Sequence, residues 1–173
     1  MVEKDTILRE QVWYVGITKV KDVYNYAYDY LRREDFVVTE EKYKEVVKGD
    51  EKELEIKWIA TKKITDYFRA NIEFFWKILG MKEVEVEING KKKKMDKVSE
   101  LSIKMKGVLE KDYSSKWGPT GTQKFIKEVY HKYVIPQRTD QMENKVRDYV
   151  QYLKDEIKAF MELTGKGSGL GYA

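Results

Sequence analysis

The chain predicts an α+β fold: a single antiparallel meander sheet with a helix after its first strand and two C-terminal helices, the last long and packed on the sheet. Three observations predict it. Asn89-Gly90 lies between two extended runs, and a type I′ turn needs the positive φ that these two residues tolerate. Apolar residues alternate at period two through the middle of the chain. Near the C-terminus they recur instead at helical spacing.

Taken in order, Trp13, Val15 and Ile17 alternate with Val12, Tyr14 and Gly16, which predicts the first strand. Thr18 is then placed to cap a helix whose apolar stripe is Val20, Val23, Tyr24, Ala27 and Leu31. Tyr24, Tyr26, Tyr28 and Tyr30 also alternate at period two. A strand there would set Asn25 and Asp29 beside Val23 and Leu31, so the helix is preferred. Phe36 to Val47 reads as extended and ends at the turn Lys48-Gly49-Asp50. Leu54, Ile56, Trp58 and Ala60 form a half-buried strand, and Phe68, Ala70, Ile72, Phe74, Trp76 and Ile78 mark the clearest strand, closed by Gly80.

The Asn89-Gly90 hairpin follows. Its two-residue loop sets Ile88 opposite Lys91, Glu87 opposite Lys92, Val86 opposite Lys93, Glu85 opposite Lys94 and Val84 opposite Met95. Leu101, Ile103, Met105 and Leu109 then alternate in a further strand. Asp112 to Gly121 reads as a loop, and Thr120 with Gln123 forms a capping-box pattern. It opens a helix with the stripe Phe125, Ile126, Val129, Tyr130 and Tyr133, stopped by Pro136. Thr139 is placed to cap the last helix, which carries Met142, Val146, Tyr149, Leu153, Phe160 and Leu163 and ends at Gly165. Residues 1–164 therefore read as one domain and 165–173 as a glycine-rich tail, with no internal repeat and no dividing linker.

Composition narrows the classes of function. With 42% hydrophobic and 37% charged residues the chain is a globular protein, not a disordered one. It has no cysteine and one histidine, His131, which excludes disulfides, thiolate chemistry and a histidine-rich metal site within one subunit; no cofactor is expected. No apolar run is long enough to span a bilayer, and Met1 to Asp5 lacks a signal-peptide pattern, so a cytoplasmic location is expected. The formal net charge is only +4, so any grip on a polyanion must come from a local patch. Abundant Lys and Glu give a thermophile-like composition, since surface ion pairs cost less at high temperature.

Candidate functional residues are few. Lys91, Lys92, Lys93 and Lys94 form the sharpest charge feature, able to contact RNA or ribosomal phosphate or to guard an outer strand against edge pairing. Trp58, Phe74, Trp76 and Met105 fall on apolar strand faces, as core or as the lining of a ligand cavity. Tyr14, Tyr67 and Phe75 point by parity to the opposite face, where they form a platform or lie under a helix. Trp117, in a glycine- and serine-containing loop, and Tyr172, in the tail, are candidate contact anchors. The lone His131 has no nucleophile motif around it, the adjacent pair Glu40-Glu41 points to different sides, and Gly167 to Gly171 follows no strand and opens no helix. Nothing in these motifs favours catalysis.

The element order of strand, helix, antiparallel strands and long terminal helix is similar to the helix-grip, START-like fold, which implies an apolar cavity between sheet and last helix. Here one long helix stands where that fold has two short ones, and an extra helix precedes the last. The runs Val84-Glu85-Val86-Glu87, Asn89-Gly90-Lys91-Lys92, Leu109-Glu110-Lys111-Asp112-Tyr113 followed by Trp117, Tyr130-His131-Lys132-Tyr133 and Ile157-Lys158-Ala159-Phe160 resemble a family of small archaeal proteins, a resemblance that implies no catalytic residue. The resulting expectation is a non-enzymatic protein acting through contacts with another protein or with itself as a homo-oligomer. Two alternatives remain: a carrier of a small apolar ligand, and RNA or ribosome binding through Lys91 to Lys94.

Overall fold

In the computed structural model the described residues are 2–114 and 121–167; Trp117, Thr120, Leu170 and Tyr172 lie outside them. The elements are β1 (Glu3–Thr18), α1 (Val20–Arg33), β2 (Val37–Lys48), β3 (Glu51–Lys63), β4 (Phe68–Ile88), β5 (Lys91–Lys111), α2 (Gly121–Tyr133) and α3 (Ile135–Gly167). The strands form one antiparallel sheet in the order β1-β5-β4-β3-β2. The predicted α+β meander with three helices is therefore present, and the Tyr24 to Tyr30 segment is helix. A strand there would have placed polar Asn25 and Asp29 on the face that α1 now gives to Val23, Ala27 and Leu31.

The hairpin register is the expected one at all five positions, from Ile88 opposite Lys91 to Val84 opposite Met95, and Asn89 and Gly90 both have positive φ. Gly80 does not close its strand. β4 runs through it at φ +59, the ladder is interrupted opposite Ser99, and it resumes at Lys82 opposite Lys97. A Cβ on Gly80 would stand 2.2 Å from the Ser99 hydroxyl oxygen, so glycine is what allows one long strand to pass this point.

One face of the sheet is covered by α1 and α3. Trp58, Phe68, Phe74, Trp76, Ile103 and Leu109 are buried there against Val146, Val150, Leu153 and Ile157 of α3. Gly107 of β5 sets how closely α3 approaches. A Cβ there would be 2.7 Å from Leu8 and 2.9 Å from Val146. The buried stripe of α3 differs in part from the expected one: Val150, Ile157 and Met161 are inside, while Leu163 is 73% exposed. Pro136 opens α3 instead of merely ending α2, since a first-turn position has no intrahelical acceptor for the N–H that proline lacks. Thr139 is consequently a buried residue inside the helix and not its cap.

Candidate functional site

The first turn of α1, the inward residues of β2 and β3 and the far end of the β4–β5 ribbon surround an open hollow of about 1000 Å³. Its apolar wall is built from Val20 and Tyr24 of α1, Tyr43 of β2, Leu54 and Ile56 of β3, Met81 and Ile88 of β4, and Met95 of β5; Thr164 of α3 borders it. Period-two alternation puts Tyr43, Leu54 and Ile56 on the helix-covered face. The twisted ribbon beyond Gly80 carries Ile88 and Met95 across the opening.

The polar rim is mostly occupied. Lys19 lies 3.9 Å from Asp22, and Lys94 lies 3.4 Å from Glu83. Glu40 accepts a hydrogen bond from the Tyr24 hydroxyl, and the Trp58 indole nitrogen stands 3.4 Å from the same carboxylate oxygen. Burial, followed by the bond to Glu40 and its charge, pushes the Tyr24 phenol up to about 12, which keeps it a hydrogen-bond donor at neutral pH. Asp96 accepts the Val20 backbone N–H at 3.1 Å and so caps α1 from the neighbouring strand β5, where it stands opposite Thr18. Lys19 occupies the cap position without a side-chain bond, and Thr18, the expected cap, is buried with its hydroxyl unpartnered. Burial raises the Asp96 carboxyl, only partly offset by the Val20 N–H. Its contribution to stability is therefore full below the unfolded-state pKa and is lost as pH rises through the folded-state one. Lys21 and Lys93 also line the hollow, and among the described residues neither forms an ion pair.

The described residues among those expected from sequence do not come together at one site. Lys91, Lys92, Lys93 and Lys94 are exposed on the ribbon, and Lys94 pairs with Glu83 diagonally, not with Glu85 directly opposite. Lys93 and Lys94 reach the hollow; Lys91 and Lys92 do not line it. Trp58, Phe74, Trp76 and Met105 are each at most 1% exposed. The Trp58 ring meets Phe74 at 5.7 Å and Trp76 at 5.1 Å, so these side chains are packed core and do not line the hollow. Trp117 and Tyr172 lie outside the described residues. Of the platform residues, Tyr67 is buried, the half-buried Tyr14 hydroxyl donates to the Ile17 carbonyl, and Phe75 is exposed. Sequence reasoning missed Asp96, Tyr43 and Met81, whose proximity to α1 follows only from the sheet order.

A second surface is apolar. On α2, Phe125, Ile126, Val129 and Tyr133 are between 42% and 67% exposed. Most of the apolar stripe read on this helix therefore faces outward. Among the described residues no helix is long and apolar enough to cross a membrane, and no group of three or more His, Asp or Glu is placed to hold a metal ion. Fold and hollow together define an α+β protein with one open sheet face and one groove beneath its ribbon. Comparisons with protein-family models, curated proteins and solved structures return no match.

Proposed function

We propose that the protein is a non-catalytic, cytoplasmic binding protein whose groove takes a small molecule with an apolar body and an anionic end. The observation that carries this reading is the combination of an apolar wall with Lys21 and Lys93 as the unpaired charges on its rim. Each lining carboxylate has a cationic, N–H or O–H partner, whereas Lys21 and Lys93 have no ion-pair partner among the described residues, which leaves these two ammonium groups for an incoming anion. The fluorescent anion anilinonaphthalene sulfonate is expected to bind one molecule per chain with enhanced emission. Ile88→Glu and Lys93→Glu, both at partly or fully exposed positions, are each expected to weaken it about tenfold through lost apolar contact or reversed charge. Unchanged affinity in both variants would remove the groove as the site.

A second reading is contact with another protein or with itself, supported by the exposed stripe on α2. It is expected to give a mass by light scattering above 20.6 kDa at moderate salt. Phe125→Glu is expected to return the mass to that of one chain. A wild-type protein that is monomeric throughout excludes self-assembly.

A further inference from the structure

The outer face of the sheet, opposite the helices, carries a pattern that the groove does not use. Register across the strands sets side chains there in adjacent rows. One row holds Arg9, Lys106 and Glu73; the next holds Gln11, Lys104, Phe75 and Lys57; the next holds Trp13, Ser102, Lys77 and Glu55. A solvated sheet face usually mixes charges of both signs and keeps large rings out of water. Here Trp13 is 61% exposed and Phe75 36% exposed. Cations outnumber acids, and they are not all paired. Lys106 meets Glu73 and Lys57 meets Glu41, whereas Arg9, Lys77 and Lys104 form no ion pair among the described residues.

Lys104 of β5 stands directly between Gln11 of β1 and Phe75 of β4, with Trp13 one row further along β1 on the same face. With strands about 4.8 Å apart and a rise of about 3.4 Å per residue, the two aromatic positions lie roughly 12 Å apart. Beside them a shallow trough of about 700 Å³ runs along Arg9, Gln11, Lys57, Phe75, Lys104 and Lys106.

We propose that this face binds single-stranded nucleic acid, with Trp13 and Phe75 stacking unpaired bases and Arg9, Lys77 and Lys104 contacting the phosphates. Stacking on exposed rings needs bases freed from a duplex, and unpaired cations beside those rings need an anionic backbone; a single strand supplies both along its length. An acidic peptide satisfies the cations and leaves the rings without partners. The groove lies on the opposite side of the sheet, so the two sites are independent.

Fluorescence anisotropy with a labelled single-stranded oligouridylate tests it on the intact chain. The expected result is binding that weakens as salt is raised and is stronger than to a duplex of equal length. Trp13→Ala and Phe75→Ala, both on the open face, are expected to weaken binding about tenfold each, the range of one lost base stack. Lys104→Glu is expected to weaken it and to flatten the salt dependence. Charge reversal of Lys91 and Lys92 on the ribbon is expected to leave most of the affinity in place. Failure to bind at low salt, equal affinity for duplex and single strand, or full affinity in folded Trp13→Ala and Phe75→Ala proteins would each overturn the assignment, as would loss of binding confined to the ribbon variant.

Discussion

Glu110→Ala is expected to lower stability by about 3 kcal/mol, read as a fall in the urea midpoint at unchanged slope. Glu110 is fully buried on β5 with Lys4 of β1 and Arg69 of β4 directly opposite it on either side. Lys4 lies 2.9 Å from one carboxylate oxygen, and Arg69 lies 2.5 Å from the other. Burial by itself would raise the carboxyl, but the hydrogen bonds and charges of Lys4 and Arg69 outweigh it and hold the group below the usual glutamate value. Because Lys4 and Arg69 are themselves partly exposed, removal of the glutamate strands no fully buried charge, which keeps the cost below that of breaking a wholly buried pair. The sign of the pH dependence follows from the depressed pKa. The contribution is full above the unfolded-state value and disappears as pH falls through the folded-state one, so the difference between wild type and Glu110→Ala shrinks in acid. A difference that is constant with pH would show that packing, and not charge, makes the contact.

Trp58→Ala is expected to cost about 3–5 kcal/mol, the range for emptying a fully buried aromatic site. Its ring packs edge-on against Tyr24 at 4.6 Å and Tyr28 at 6.0 Å and also meets Phe74 and Trp76. Those neighbours belong to different elements and cannot all collapse into the vacated space. Trp58→Phe retains most of the volume and loses the indole N–H near Glu40, so a cost below about 1.5 kcal/mol is expected. Since Tyr24 also lines the groove, Trp58→Ala should weaken the naphthalene probe in step with its loss of stability, whereas Trp58→Phe should leave the probe bound. An alanine variant as stable as wild type would contradict the packing described for the sheet's inner face.

Legibility followed the range of the interactions. The type I′ hairpin register, the inward set Phe68, Ala70, Ile72, Phe74, Trp76 and Ile78, and the helical state of Tyr24 to Tyr30 were all readable, because turn chemistry and periodicity act over a few residues. Element ends were less so. Gly80 reads as a stop in isolation, yet a paired strand on its other side carries β4 through it. Thr18 and Thr139 both have the chemistry of a cap and neither serves as one, since Asp96, far along the chain but opposite Thr18 in the sheet, reaches Val20, and α3 begins at Ile135. Exposure of the α2 stripe was also invisible, because an amphipathic pattern shows that one face is apolar without showing what lies against it.

By itself the sequence determined the meander, its tightest turn and the residues of its apolar face, all set by local backbone preference and by alternation. Only the tertiary structure decided that β1 returns to pair with β5. That one long-range pairing puts Asp96 beside the start of α1, sets Glu110 between Lys4 and Arg69, and brings Trp13 within two strands of Phe75 on the open face. Residues this far apart in the chain are brought together by the burial of the whole sheet against α1 and α3, a collective term that no short stretch of sequence displays.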